Sequence, residues 1–504
     1  LGAWFASKAA MNFGADLRMD LFEKIQQFSF QNIDNFSTGS LITRLTNDIT
    51  QIQNMIMMTL RMCLRSPGIL IGAMVMAFVI SPKLAAIFII VLPVLAVLIV
   101  VIMRRAFPQF RTLQEKLDAL NSCIQEGLVG IRLIKSFVRG DYEEMRFEKR
   151  NQQLKEANLT AMKTMLLYTP LMTLALNITT VVVVWSGGNM IVAGNMQVGD
   201  LTAFTNYIVQ IMSSLTMLSI AFLNWARAIA SFRRVGEVLD EKIDLTDENA
   251  KHKDRAVCEG SVEFQNVSFR YYKNSPEWVI ENISFKLEAG KTLGIIGSTG
   301  SGKSTLVSMI PRLYDTDEGT VLVDGINVRD YGLKPLREGI GMVLQNNTLF
   351  SGSITENLKW GDEHADEKAV RKAAQNAQAA GFIDSFKDGY RTRLEQSGNN
   401  VSGGQKQRLC IARALLKCPK ILILDDSTSA VDTATERAIR EALHSEYKDM
   451  TKIIIAQRIR SVMDADEILV LDNGKTAGFG THEQLLADCP VYREIYDVQN
   501  GREE

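Results

Sequence analysis

The chain has 504 residues, a formal net charge of −1 and an apolar content of 46%, with a pI near 6.6. That length exceeds one ordinary hydrophobic core and requires at least two domains, and the charge balance supplies no basic field, which argues against nucleic acid as a partner. Six cysteines, at positions 63, 123, 258, 410, 418 and 489, lack C-x-x-C or zinc spacing and read as reduced thiols rather than a disulfide framework.

A mean hydropathy of +0.02 hides a split between a strongly apolar first half and a second half with the mixture of a soluble α/β domain. The chain opens at Leu1 without an initiator Met or a signal-peptide pattern, which suggests that the natural N-terminus lies upstream. A leading helix is expected from Leu1 to about Ile33, carrying Arg18, Asp20 and Lys24 on its later turns. The apolar runs Ile69 to Ile80 and Leu84 to Met103 meet at Ser81-Pro82-Lys83. They predict two membrane spans joined by a very short turn, the first beginning near Met57 because ~20 residues are needed to cross the hydrocarbon. Met165 to Trp185 and Leu201 to Ala221 predict two more, about four in all after the leading helix. The reading against these spans is a soluble helical bundle, but a run such as Ile87 to Met103 keeps no polar face.

Between the second and third spans lie Arg104, Arg105, Arg111, Lys116, Arg132, Lys135, Arg139, Arg146, Lys149 and Arg150, whereas 186–200 has no cation. The long cationic segment is therefore cytoplasmic. Leu113, Leu117, Leu120, Ile124 and Leu128 recur at helical spacing, so the helices are expected to run well past the bilayer. Asn177, Asn206, Gln210 and Asn224 inside the last spans read either as substrate contacts or as helix-to-helix hydrogen bonds.

Residues 241–257 are charged and read as a linker between a membrane domain, 1–240, and an α/β domain, 258–504. Val262-Glu-Phe and Ser268 to Tyr271 alternate like strands, and Tyr271 reads either as an aromatic for adenine to stack on or as a solvent-facing strand tyrosine. The run Leu293 to Ile296 leads into Gly297, Ser298, Thr299, Gly300, Ser301, Gly302, Lys303, Ser304 and Thr305. A strand, a glycine loop and a helix start in that order form a polyphosphate cradle: the glycines let backbone N–H groups turn inward, Lys303 reaches the β/γ-phosphates and Ser304 ligates Mg2+. Ser402, Gly403, Gly404 and Gln405 open a second helical run, a further anion site that is explained if two such domains stack head to tail. Ile421 to Asp426 reads as a buried strand tipped by carboxylates, with Asp425 placed to hold Mg2+ through water.

These motifs, with Ser429-Ala-Val-Asp432 and with Gln345 in Met342 to Phe350, resemble the nucleotide-binding domain of an ABC transporter. The first half resembles the exporter branch, in particular Gly39 to Asp48 and Glu126 to Phe137, which are similar to the stretches around its cytoplasmic coupling helices. The resemblance implies an all-α transmembrane domain followed by an α/β P-loop ATPase domain, in the cell membrane with the ATPase domain cytoplasmic. It implies ATP and Mg2+ as cofactors, the lipid bilayer and an exported substrate as partners, and Gln345 as a contact to Mg2+ and water. A complete exporter half has six spans, so the first and the start of the second are expected to be missing.

Four positions depart from the family's pattern. Asp426 stands where the catalytic Glu is usual, one methylene shorter and roughly 1 Å short of the attacking water. Gln457 stands where the switch His is usual and brings no positive charge to the γ-phosphate. Glu395 and Gln396 replace a common Gly-Glu pair. The resemblance is then to one subunit of a heterodimeric bacterial multidrug-type exporter: this chain's own site binds ATP and hydrolyses it poorly, and its Ser402-Gly-Gly-Gln405 signature completes a consensus site on a second half-transporter carrying Glu and His. A slow homodimer and an ATP-sensing gating subunit stand as alternatives.

Overall fold

The computed structural model describes residues 2–63, 65–273, 275–426 and 431–500, with the side chains of a few helical residues, Asn224 among them, outside the described set. Ser429 and Ala430 of the motif ending at Asp432 also lie outside the described residues. Contacts divide the chain into two units, one made of 1–25 and 39–240, the other of 26–38 and 241–504.

The first unit is helical. Among its described residues three stretches are long and apolar enough to cross a membrane: Thr38–Ile80, Pro82–Val129 and Gly140–Val192. The fourth expected span lies within a further long helix, Val198–Leu239. Ser81 makes the tight turn between the first two: its hydroxyl accepts from the Leu84 N–H, and Pro82 occupies the first helical turn, where its missing N–H costs nothing. The helix Pro82–Val129 has 48 residues. At 1.5 Å per residue it is ~72 Å long, more than twice the ~30 Å hydrocarbon layer, so it extends far beyond a bilayer.

One face of that helix buries Leu84, Phe88 and Leu95 against Phe204, Ile208 and Ile211. The Phe88 and Phe204 rings stack with centroids 5.4 Å apart and planes at 8°. The opposite face leaves Ile89, Ile90, Val94 and Val97 each more than 60% exposed, a contiguous apolar surface suited to lipid rather than water. Near the other end of the unit Asp48 is buried. Its carboxylate accepts from Ser231 Oγ and Arg234 Nε, both at 2.8 Å, and Arg44 reaches Glu237 at 3.0 Å, tying Gly39 to Asp48 onto the helix Val198–Leu239 by paired, hydrogen-bonded charges.

The leading helix does not run to Ile33. It ends at Gln26, and a separate short helix, Phe30–Asp34, starts at Ser29, whose hydroxyl accepts from the Asn32 N–H while the Asn32 side chain returns to the Ser29 N–H. A capping box interrupts the apolar pattern. Within the second unit, Asn32 donates to Glu241 Oε1 and to the Lys242 carbonyl, and Tyr314 donates to Asp34 at 2.9 Å.

The rest of the second unit is built on a six-stranded sheet in the order Lys475–Gly480, Glu467–Asp472, Thr292–Gly297, Thr451–Ile455, Ile421–Asp425, Ile340–Val343. All neighbours are parallel except the first pair. The central strands are buried on both faces, as in a sheet covered on both sides. A four-stranded antiparallel sheet, in the order Ile280–Leu287, Val262–Phe269, Glu318–Val323, Ile326–Asn327, packs its buried face over the same interior.

Candidate nucleotide site

Strand order assembles the site. Ile455 lies level with Ile295 on one side and Asp425 on the other. The glycine loop, Gln457 and the Asp425-Asp426 pair therefore leave the carboxyl ends of three adjacent parallel strands, where ligands of open α/β sheets bind. Gln345 leaves the end of a fourth, since Val343 is level with Leu424.

The loop requires its glycines. Gly302 has φ +89°, and a Cβ there would lie 2.6 Å from Ile280 Cγ2 and 2.9 Å from the Val279 carbonyl oxygen. A Cβ on Gly297 would lie 2.1 Å from the Leu471 carbonyl oxygen on the neighbouring strand. A side chain at either position would push the backbone out of the cradle. Ser298, Thr299 and Gly300 form its exposed rim, and Ser301 and Thr305 are buried beneath it. The Lys303 ammonium donates to the carbonyls of Gly297 at 2.9 Å and Ser298 at 2.7 Å, so it arches over the loop. Burial lowers its pKa, opposed by the charges of Asp426 and Asp425.

Ser304 Oγ donates to Asp425 Oδ1 at 2.9 Å. Two hard oxygen donors thus face one another at the end of the loop, a fit for Mg2+. Among the described residues no group of three or more His, Cys, Asp and Glu is placed to hold a metal. Burial raises the carboxyls of Asp425 and Asp426 above the usual aspartate range, against the hydrogen bonds from Ser304 and Gln457 respectively.

Asp426 adopts φ +45°, the left-handed region that Asp and Asn tolerate best after glycine. Its N–H donates to the Ile455 carbonyl at 3.1 Å, and its Oδ2 accepts from Gln457 Nε2 at 2.8 Å. Tyr271 donates to or accepts from Thr305 Oγ1 at 2.8 Å, stands edge-on to Phe269 and Tyr314, and is 37% exposed.

Other expected residues are not drawn into this cluster. Gln345 is exposed, and among the described residues no hydrogen bond ties it to Asp425 or Ser304. Ser402 caps the helix Gly403–Leu416 in a reciprocal pair with Gln405: the Ser402 N–H donates to Gln405 Oε1 at 2.9 Å and the Gln405 N–H to Ser402 Oγ at 3.3 Å. Ser402 and Gly403 are exposed and face no group of the loop 297–305 through a hydrogen bond among the described residues. Further along that helix, Gln407 donates to the Asp426 carbonyl at 3.4 Å. His482 pairs with Tyr492 at 2.7 Å.

Sequence reasoning missed Gln499. Its Nε2 donates to the Gln457 carbonyl and its Oε1 accepts from the Ile459 N–H, both at 2.8 Å, bracketing the segment that carries Gln457. Nothing in the local pattern of Pro490–Asn500 marks it.

Residues 1–215 match the family described as ABC transporter transmembrane region, and residues 280–429 the one described as ABC transporter. Similar relatives include the uncharacterized ABC transporter ATP-binding protein YfiB of Bacillus subtilis (strain 168), 41% identical over 503 residues, which span 100% of this chain and 87% of that protein. The uncharacterized ABC transporter ATP-binding protein Rv1273c of Mycobacterium tuberculosis (strain ATCC 25618 / H37Rv) is 39% identical over 501 residues, 99% of this chain and 85% of that one. Among solved structures, that of a bacterial Atm1-family ABC exporter with ATP bound matches with a TM-score of 0.85 at 26% identity, over 98% of this chain and 86% of the other.

Proposed function

The chain belongs to the ABC transporter family, as an exporter-type half-transporter with its membrane domain fused to its ATPase domain, and on that premise we propose that its own nucleotide site is a degenerate one. The observation that carries the reading is the hydrogen bond between Gln457 and Asp426. The side chain at the switch position is engaged by the shortened carboxylate and has no charge to give a γ-phosphate. The chain then acts as one half of a dimer that exports a small molecule, lipid or peptide by alternating access. Its partner is a second half-transporter with Glu and His at the two positions, and Ser402-Gly-Gly-Gln405 covers the nucleotide held by that partner.

In this mechanism the loop 297–305 binds the polyphosphate and Lys303 leaves its loop carbonyls for the phosphate oxygens. Ser304, Asp425 and Gln345 would hold Mg2+, which neutralises phosphate charge and so favours phosphoryl transfer. Asp426 positions the attacking water only weakly, so ATP dwells, and turnover falls chiefly to the partner's site. Closure of the two ATPase domains on two nucleotides turns the membrane cavity outward, and hydrolysis resets it.

One observation favours the homodimeric alternative. The raised pKa of Asp426 makes it a better base than an ordinary aspartate. Steady-state ATPase activity of the chain alone and with its neighbouring half-transporter separates the two. The degenerate site predicts activity only with the partner, surviving Asp426→Asn and collapsing with Ser402→Ala. Activity of the chain alone that Asp426→Asn abolishes would establish the homodimer instead.

A further inference from the structure

Behind the segment that carries Gln457, within the second unit, lies a cavity of about 570 Å³ bounded by the helix Thr433–Glu446, the strand Thr451–Ile455 and residues 460–465. Its apolar wall is Leu443, Ile454 and Met463. Its polar wall is cationic, with Arg437, Arg440, Lys452 and Arg460 against two carboxylates, Glu441 and Asp464.

The carboxylates are already engaged. Arg437 Nε holds Glu441 at 3.1 Å and Arg440 Nη1 holds Asp464 at 3.3 Å. Arg440 Nη1 also donates to the Arg460 carbonyl at 2.8 Å, while its Nε is buried with no partner. Lys452 is the more telling residue. It sits in a strand whose five residues are all buried, is itself 5% exposed, and among the described residues no hydrogen bond or ion pair holds its ammonium. Burial lowers its pKa, opposed by the charges of Asp466 and Asp449, which act on it without pairing to it. Asp466 instead accepts from the Thr292 N–H at 2.8 Å. A desolvated ammonium and an orphaned guanidinium donor on one wall, facing an apolar wall, leave an anion with an apolar body as the complementary ligand.

We propose that this cavity is a binding site for a small organic anion, a carboxylate or phosphate carried on an apolar group. The site stands apart from the nucleotide cradle yet touches the same machinery. Thr433 follows Asp432, which caps its helix, and Arg460 and Ser461 follow Gln457 within four residues. Ser461 donates to the buried Glu436 on the same helix. A ligand here would set the spacing between that helix and the segment carrying Gln457, and so tune the ATPase site from behind.

The test is calorimetric titration of the full chain in detergent micelles with 2-naphthoate, with its neutral isostere 2-naphthalenemethanol, and with 1-naphthyl phosphate on a Lys303→Ala background, so that the phosphate cradle does not contribute. The expected result is saturable binding of at least one anion below ~1 mM, with the alcohol and the Lys452→Met variant each weaker by about tenfold or more. Retained ATP binding, read with Lys303 intact, certifies that Lys452→Met is folded. If that variant fails the check, Arg437→Gln on the exposed rim is read in its place, with a loss of about threefold expected. No binding of either anion, equal binding of the alcohol, or undiminished binding by the folded variant overturns the proposal. Binding of naphthyl phosphate but not naphthoate would assign the site to phosphates.

Discussion

Gln457 Nε2 donates to Asp426 Oδ2 at 2.8 Å, joining two residues 31 positions apart through the ends of adjacent strands. On the proposed reading each departs from the family's pattern, and each occupies the other. An Asp at this point can reach the amide because its side chain is short, and the amide held there is not free to face a γ-phosphate. Restoring both positions, Asp426→Glu with Gln457→His, is expected to raise the ATPase turnover of this chain's own site by roughly tenfold to a hundredfold. Either change alone is expected to give less, because contacting residues couple. Single-turnover assays with the partner's site disabled measure this. A double variant no faster than wild type would mean that the two departures do not limit hydrolysis here.

The same carboxylate carries a stability prediction. Burial raises the pKa of Asp426 in the folded chain. A raised carboxyl favours folding most when protonated, so its contribution is fully present below the ordinary aspartate pKa and is lost as pH rises through the raised folded value. Around neutral pH the charged Asp426 therefore costs stability. Asp426→Asn keeps an acceptor for Gln457, suits φ +45°, and is expected to raise the nucleotide-free unfolding temperature by ~1–3 °C near pH 7.5, with the gap closing toward about pH 4. A lower unfolding temperature at neutral pH would show that the charge is stabilised rather than strained.

What was legible follows from how local each feature is. The loop 297–305, the strand Ile421–Asp425 and the turn at Ser81 are each set by contiguous residues, so their patterns announce them. The break after Gln26 was also written locally, as Ser29 with Asn32 three residues on, but the surrounding apolar residues outweighed that cap. The Gln457–Asp426 contact, the bracket at Gln499 and the cavity around Lys452 depend on which strands become neighbours. No stretch of one chain encodes that by periodicity. Gln345 shows the opposite limit, since its motif is plain while its side chain stands exposed, with no hydrogen bond to Asp425 among the described residues.

Tyr271 has two readings that a pair of substitutions separates. Its hydroxyl is tethered to Thr305 Oγ1 and its ring stands edge-on to Phe269 and Tyr314. If adenine stacks on it, Tyr271→Ala is expected to weaken ATP binding by about tenfold, the worth of one base-to-aromatic contact, while Tyr271→Phe changes affinity by less than about threefold. Fluorescent ATP-analogue titration reads both. Wild-type affinity in Tyr271→Ala would make it a tyrosine just past the end of the strand Val262–Phe269 that packs under the loop and nothing more.

Gln499 gives the sharpest check on how Gln457 is held. Its amide closes two backbone hydrogen bonds, from its Nε2 to the Gln457 carbonyl and from the Ile459 N–H to its Oε1. Ile459 is buried, so removing the acceptor leaves a donor that water does not readily reach, at a cost of about 1–3 kcal/mol. In Gln499→Ala the segment 457–459 is expected to open more often, and hydrogen exchange at the Ile459 amide to quicken by roughly tenfold to a hundredfold. Gln499→Glu keeps the acceptor for Ile459 but sets a carboxylate against the Gln457 carbonyl, and should fall between wild type and Ala. The loop 297–305 does not contact this bracket through any hydrogen bond among the described residues, so ATP affinity should hold in both variants. Unchanged exchange at Ile459 in Gln499→Ala would show that Ser461 and the buried Glu436 fix this segment without help from the C-terminal helix.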